Sequence, residues 1–174
     1  MEHRDYLIDL VDANGQVTGQ KARSTVDKHA DNYHAVHLIM LTPRAEVVLG
    51  RLPERHDLPN LYAHRLSTTV ATIRRNQETS ETAAARALKS ELMIYSASIH
   101  PLGEGWLALG AGRGAYITAY YLEAEAPAAY NTIDIAGLEL MPADQLAEQL
   151  RQHPARFSLT LRAIWDSFGD QFPL

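Results

Sequence analysis

Residues 72–94 read TIRRNQETSETAAARALKSELMI, and the fold turns on this stretch. From Thr79 to Met93 it predicts a helix, because Ala84, Leu88 and Leu92 recur at a spacing of four and Ala83 to Ala85 are strong helix formers. The helix follows a polar loop, Thr72 to Gln77, that carries the adjacent arginines Arg74 and Arg75. Glu78, Arg86 and Glu91 place charge at intervals of eight and five along loop and helix.

Working upstream, His64 to Ala71 has strand character, and the prolines and charges of Pro53 to Asn60 mark an exposed loop. Val47 to Leu52 is expected to pair as a hairpin with Tyr33 to Leu41, whose apolar content makes it the central strand. Tyr6 to Val11 alternates apolar and acidic residues before Asn14-Gly15, a strong hairpin signal. Ser24 is expected to cap a short helical turn through His29. Downstream, Trp106 to Leu109 and Tyr116 to Leu122 flank a glycine-rich segment, Gly110 to Gly114. That segment lacks the lysine of a phosphate-binding loop and precedes a strand, so it is expected to be a hairpin turn. Ile133 to Leu140 adds a strand, and helices follow from Pro142 to about Gln152 and from Phe157 to Phe168. Strands, a central helix, more strands and terminal helices make an α+β layered fold.

With 174 residues and 46% hydrophobic content, one core and a single domain over 1–174 are expected. The net charge of -5 comes with scattered basic residues, which argues against a nucleic-acid-coating surface. No cysteine is present, which excludes disulfides, thiolate metal sites and a thiol nucleophile. Met1 to Asp5 is charged and no run approaches the ~20 apolar residues of a membrane helix, so a soluble, cytoplasmic protein without membrane contact is expected. Apart from the alanine-rich linker Glu123 to Ala129, there is no low-complexity segment, and there is no internal repeat.

The segment from Arg51 to Ile94 resembles the Nudix superfamily, whose box is G-x5-E-x7-R-E-U-x-E-E-x-G-U, with U a bulky aliphatic. Glu78 takes the first glutamate, Arg86 the arginine, Leu88 and Ile94 the aliphatic positions and Glu91 the last glutamate, without a gap. Gly50-Arg51 and Leu58-Pro59-Asn60-Leu61-Tyr62 look like the passage that precedes the box in many members. The opening IDLVDANGQVTG (8–19), the segment Lys28 to His37 and the closing RFSLTLRAIWD (156–166) are most similar to the isopentenyl-diphosphate isomerase-like branch. The resemblance implies a Nudix fold, a mixed β-sheet layered between helices, and a site built on Glu78, Arg86 and Glu91. It is compatible with a homodimer.

The box is degenerate. Active members place three glutamates on one helix face, whereas this chain has Ala87, Ser90 and Glu91 there. Magnesium takes hard oxygen ligands, commonly one or two carboxylates plus substrate phosphates, so Glu91 alone is expected to bind it weakly and to leave hydrolysis slow or absent. Glu104, Glu54 and Glu81 are candidates for a carboxylate from outside the box. The box glycines are replaced by Thr72 and Met93, and a bulky residue at a left-handed cap is unfavourable, so a changed loop geometry is expected. Aligned without gaps, the isomerase cysteine falls on Ala71 and a nearby metal histidine on Ile73, so isomerase chemistry is not expected. His29 and His34 roughly match two other metal histidines of that branch.

Arg74 and Arg75, with Arg51 and Arg65, are expected to replace the metal as counter-charge for a phosphorylated ligand, since a guanidinium fork matches phosphate oxygens. The alternative is two solvated loop arginines. Arg86 is expected to pair with Glu78 and orient the loop. His34 and His37 point to opposite strand faces and are expected to be hydrogen-bonded rather than to share an ion. Tyr116 and Tyr120 fall on one face of their strand and Tyr121 on the other, dividing pocket from core. The expected function is binding, with slow hydrolysis, of a small diphosphate-containing ligand such as a nucleoside diphosphate derivative. The alternatives are a non-catalytic ligand sensor or protein-interaction module, and an enzyme with metal-free chemistry.

Overall fold

The structure is a computed structural model, and it describes residues 5–28, 30–54, 63–110 and 112–173. Its centre is β3 (His34–Leu41), in which every residue is buried. A strand covered on both faces is expected to be apolar throughout, and alternate residues of β3 enter two separate cores. Ala35, Ile39 and Leu41 face one core; Val36, Leu38 and Met40 face the other.

One edge of β3 pairs in parallel with β8 (Arg113–Glu123) along its whole length, and β8 continues antiparallel to β7 (Ile99–Gly110). The other edge of β3 is divided. Its end pairs antiparallel with β4 (Glu46–Arg51) through Met40 and Leu41, while Ala35 to Leu38 pair with β6 (Val70–Ile73). The hairpin predicted from Val47 to Leu52 is therefore confined to two residue pairs. The strand predicted over His64 to Ala71 is in fact two pieces: β5 (Leu66–Ser67) on β4, and β6 on β3.

Thr69, between the two pieces, explains the division. Its hydroxyl accepts the Met40 N–H at 2.8 Å and donates to the Val48 carbonyl, standing in for a ladder bond where β3 and β4 part. Gly50 allows the close approach: a Cβ there would lie 2.8 Å from the Thr69 carbonyl oxygen and 3.0 Å from that of Thr68.

On its outer side β4 carries β9 (Gly137–Pro142), antiparallel from Glu46↔Pro142 to Arg51↔Gly137. The strand predicted from Ile133 thus begins later, because Asn131 to Asp134 form a turn that leaves Ile133 81% exposed. A separate hairpin joins β1 (Leu7–Val11) to β2 (Val17–Ala22), its turn closed by the Asp12 carboxylate on the N–H groups of Asn14 and Gln16. The turn predicted from Ser24 is a short 3-10 segment, Arg23–Thr25, with Ser24 bound to Asp5 rather than capping. Gly110 and Gly112 take positive φ in the β7–β8 hairpin, as expected for a turn. His29, Leu58 to Tyr62 and most of the predicted Pro53–Asn60 loop lie outside the described residues.

Helix α1 (Ser80–Leu92) buries Ala83, Ala84, Ala87, Leu88 and Leu92 against the Val36 face of the sheet. Helices α2 (Ala143–Gln152) and α3 (Leu159–Phe168) cover the opposite face through Leu146, Leu150, Leu161 and Ile164. The result is the α+β layered arrangement of a mixed sheet between helices. No helix among the described residues is long and apolar enough to cross a membrane.

Helix α1 starts on Thr79, whose hydroxyl accepts the Thr82 N–H at 3.1 Å, and stops on Met93. The expectation of altered geometry at Met93 is overturned. Met93 adopts the left-handed conformation (φ 57, ψ 29) that a glycine would take, and its N–H reaches the Leu88 carbonyl. Burial of Leu92 and a second bond from the Ile94 N–H to Leu88, at 3.1 Å, hold the strained cap in place. Met93→Gly should therefore stabilise the protein by about 0.5–1 kcal/mol. Urea unfolding measures this, and equal or lower stability would show that the cap stores no strain.

Candidate functional site

A cleft of about 240 Å³ opens where β3 and β4 part, beside the last turn of α1. Ser67 to Ala71 line one side; Lys28, Arg51, Glu91 and Asp134 bring charge to it. Glu91 comes from α1, Arg51 from the end of β4, Lys28 from the connection between β2 and β3, and Asp134 from the turn before β9.

Asp134 is the carboxylate that the sequence did not reveal. The Asn131 N–H donates to the Glu91 carbonyl at 2.7 Å, docking the turn on the end of α1, and the Asn131 amide donates to the Asp134 carboxylate at 2.8 Å. Nothing in the local pattern of residues 131–140 distinguishes Asp134 from a strand residue; only the docking places it near Glu91. The candidates Glu54, Glu81 and Glu104 do not line the cleft. Glu81 acts on Tyr120, Glu104 lies 4.0 Å from the His34 ring, and Glu54 is exposed.

Arg86 and Glu78 pair as expected. The guanidinium grips both carboxylate oxygens, at 2.8 and 2.9 Å, and also donates to the Thr72 hydroxyl and the Ile73 carbonyl at 3.0 Å each. Glu78 in turn accepts the Arg75 N–H at 2.9 Å, so one ion pair ties the loop to the helix and to β6. Burial alone would raise the Glu78 carboxyl; the Arg86 fork, the Arg75 N–H and both guanidinium charges outweigh it and hold it below its ordinary value.

The four arginines expected to act together are separated. Arg51 lines the cleft, donating to the His64 carbonyl at 2.9 Å and to Glu139 at 2.8 Å. Glu139 also pairs with Arg156, so two guanidinium groups share one carboxylate. Arg75 instead lies over the Tyr6 ring at 3.9 Å, a cation–π contact, and its backbone bridges to Ile8. Arg74 gives its N–H to the His34 carbonyl at 2.9 Å and bears on His34 and Tyr116. Arg65 is fixed through its carbonyl to the Leu52 N–H at 2.8 Å, and neither it, Arg74 nor Arg75 lines the cleft.

No protein-family model and no curated protein matches the chain. Solved structures do. A protein of Deinococcus radiodurans, called a hypothetical Nudix protein in its solution structure, matches in crystal form with TM-score 0.73 and 20% identity over 92% of this chain and 98% of that one. A MutT protein from Methanosarcina mazei Go1 gives TM-score 0.61 at 12% identity, covering 80% of this chain and 94% of its own. This chain has the Nudix fold. The dihydroneopterin triphosphate pyrophosphohydrolase of E. coli shares it at TM-score 0.53 and 15% identity, covering 79% of this chain and 95% of that one.

On this Nudix-fold helix, Ala87 is fully buried, and the Ser90 hydroxyl turns back to the Ala87 carbonyl at 3.4 Å. Glu91 is thus the carboxylate that α1 brings to the cleft. Among the described residues no three His, Asp or Glu side chains gather as a metal-holding group.

His34 and His37 do face opposite sides of β3, and both are hydrogen-bonded: His34 to the Thr118 hydroxyl at 2.6 Å, His37 to that of Thr68 at 2.9 Å. His29, the other histidine expected to match, lies outside the described residues. Tyr120 and Tyr121 join opposite cores, as their alternation implied.

Removing the Arg86 side chain would strand the Glu78 carboxylate, only 9% exposed, with its partners unmatched. Arg86→Ala should cost about 2–4 kcal/mol in urea unfolding, with Arg86→Lys recovering only part because it lacks the planar fork. A loss below about 1 kcal/mol would mean that the pair behaves like a solvated surface bridge.

The pH dependence has two arms. Burial, reinforced by the Asp134 charge and opposed by Arg86, pushes the Glu91 carboxyl up to about 8 from an ordinary 4.5. The native state therefore keeps this proton where the unfolded chain has lost it, and the contribution is complete below pH 4.5 and lost as pH rises through about 8. Burial depresses both His34, with Arg74 adding to it, and His37 from 6.5 to about 4, so their contribution is present above pH 6.5 and lost as pH falls through about 4. Melting temperatures across this range should fall on both sides, and Glu91→Gln should flatten the alkaline arm alone. An unchanged alkaline arm in that variant would contradict the environment described for Glu91.

Proposed function

We propose that this protein binds a small diphosphate-containing ligand, such as a nucleoside diphosphate derivative, and hydrolyses it slowly or not at all. The observation that carries this is the cleft at the end of α1, where Arg51 and Lys28 supply positive charge beside Glu91 and Asp134. Basic side chains at a concave site suit phosphate oxygens. One solved protein of the same fold is by name a pyrophosphohydrolase of a triphosphate, which supports a phosphoanhydride ligand here.

The Mechanism available to these residues is mainly one of binding. Arg51 orients phosphate oxygens from a position braced by Glu139, and the Glu78–Arg86 pair keeps the loop and helix in register. Charge developing on the bridging oxygen during P–O cleavage would need neutralising, which in this fold's active members is the work of magnesium. Ala87 has no donor and the Ser90 hydroxyl is spent on the Ala87 carbonyl, which leaves Glu91 and Asp134 as the carboxylates that would hold a magnesium ion; among the described residues no third His, Asp or Glu joins them. Without a phosphate ligand to add oxygens, magnesium binding there is accordingly weak.

The buried Ala87, and a Ser90 hydroxyl bonded to the Ala87 carbonyl, also favour a second reading, a ligand sensor without turnover. Calorimetric titration with inorganic pyrophosphate and a nucleoside diphosphate panel, with and without EDTA, together with phosphate release in magnesium or manganese, tests both. Binding that survives EDTA, with slow turnover that disappears in Glu91→Gln, is expected; binding with no turnover selects the sensor. Absence of binding to every member of the panel would sink the proposal, and so would tight magnesium with brisk cleavage.

A further inference from the structure

The cleft takes one cation from a segment that the fold's box does not contain. Lys28 lies between β2 and β3, far in sequence from Arg51, yet both line the same cavity. Its position is built by a stapled turn. Lys21, on β2, places its ammonium 2.7 Å from both oxygens of the Asp31 carboxylate, which also accepts the Asp27 N–H at 2.8 Å. The Asp27 carbonyl takes the Asp31 N–H at 2.7 Å and the Ala30 N–H at 3.2 Å, closing the turn around Lys28. The Lys21 hydrogen bond, the Asp27 N–H and the Lys21 charge hold Asp31 ionised, below the ordinary carboxylate range, against slight desolvation.

Charge distribution gives Lys28 its role. The Arg51 guanidinium is engaged by Glu139, which Arg156 shares, so Arg51 meets a ligand from a fixed, braced position. A diphosphate carries charge on two phosphorus centres and is held best by cations approaching from more than one direction; a lysine is the flexible point charge for this task and arginine the fixed fork.

We infer that Lys28 is a phosphate-binding residue of the cleft, acting with Arg51, and that Asp27 and Asp31 position it, held by the Lys21–Asp31 ion pair. This rests on the diphosphate reading above. It assigns the ligand's phosphates to the two cations of the cleft, Lys28 and Arg51.

The test is calorimetric titration of the whole chain with inorganic pyrophosphate and with ADP, at low and high salt. Lys28→Ala should weaken binding on the order of tenfold, as loss of one charge-assisted contact implies, in protein whose cooperative melting shows it folded. Lys28→Arg should restore most of the affinity, and Asp31→Asn should weaken binding several-fold through loss of the staple. Lys89→Ala, on the outer face of α1, serves as the neutral control and should bind as the parent does. Added salt should weaken the parent more than Lys28→Ala, since one screened charge is missing there. If Lys28→Ala binds both probes as tightly as the parent, the inference is overturned and the diphosphate reading stands. If the parent binds neither probe nor any other diphosphate, that reading fails and the role of Lys28 falls with it.

Discussion

One guanidinium holds the site's framework together. Arg86 satisfies a carboxylate, a hydroxyl and a backbone carbonyl at once, all from residues N-terminal to its own helix. Each of those acceptors is partly or wholly removed from water, so none can be left without a partner cheaply. The loop before α1 is therefore fixed against the helix, and the helix against β6. Those contacts involve neither Ala87 nor Ser90.

A second constraint opens the cleft. β3 cannot pair along its whole edge with either β4 or β6, and the Thr69 hydroxyl resolves the conflict by bridging Met40 and Val48 where the strands diverge. The space so created lies beside the end of α1 and is lined by groups of both signs. Glu91 is desolvated there and faces another acid, so its proton is retained; Arg51 is braced by a carboxylate that it shares with Arg156.

Met93 illustrates the difference between preference and necessity. A left-handed cap favours glycine, yet the buried Leu92 before it and the Ile94 bond after it keep methionine in that conformation. Tertiary contacts worth more than the local strain decide the backbone, and residue identity alone misjudged the outcome. Arg75 likewise takes its surroundings from a distant strand: its guanidinium lies over Tyr6, brought near by β1.

By itself the sequence determined the helix over residues 80–92, the apolar central strand, the β7–β8 and β1–β2 turns and the Glu78–Arg86 pair. These follow from periodicity, turn chemistry and spacing within one segment, which are local properties. Only the tertiary structure decided that the 64–71 stretch divides between two neighbours, that Asp134 rather than Glu54, Glu81 or Glu104 faces Glu91, and that Lys28 rather than Arg74 or Arg75 joins Arg51. Those outcomes depend on which distant side chains share a cavity. Such proximity is set by packing and backbone hydrogen bonding across the sheet, and no pattern along the chain encodes it in readable form.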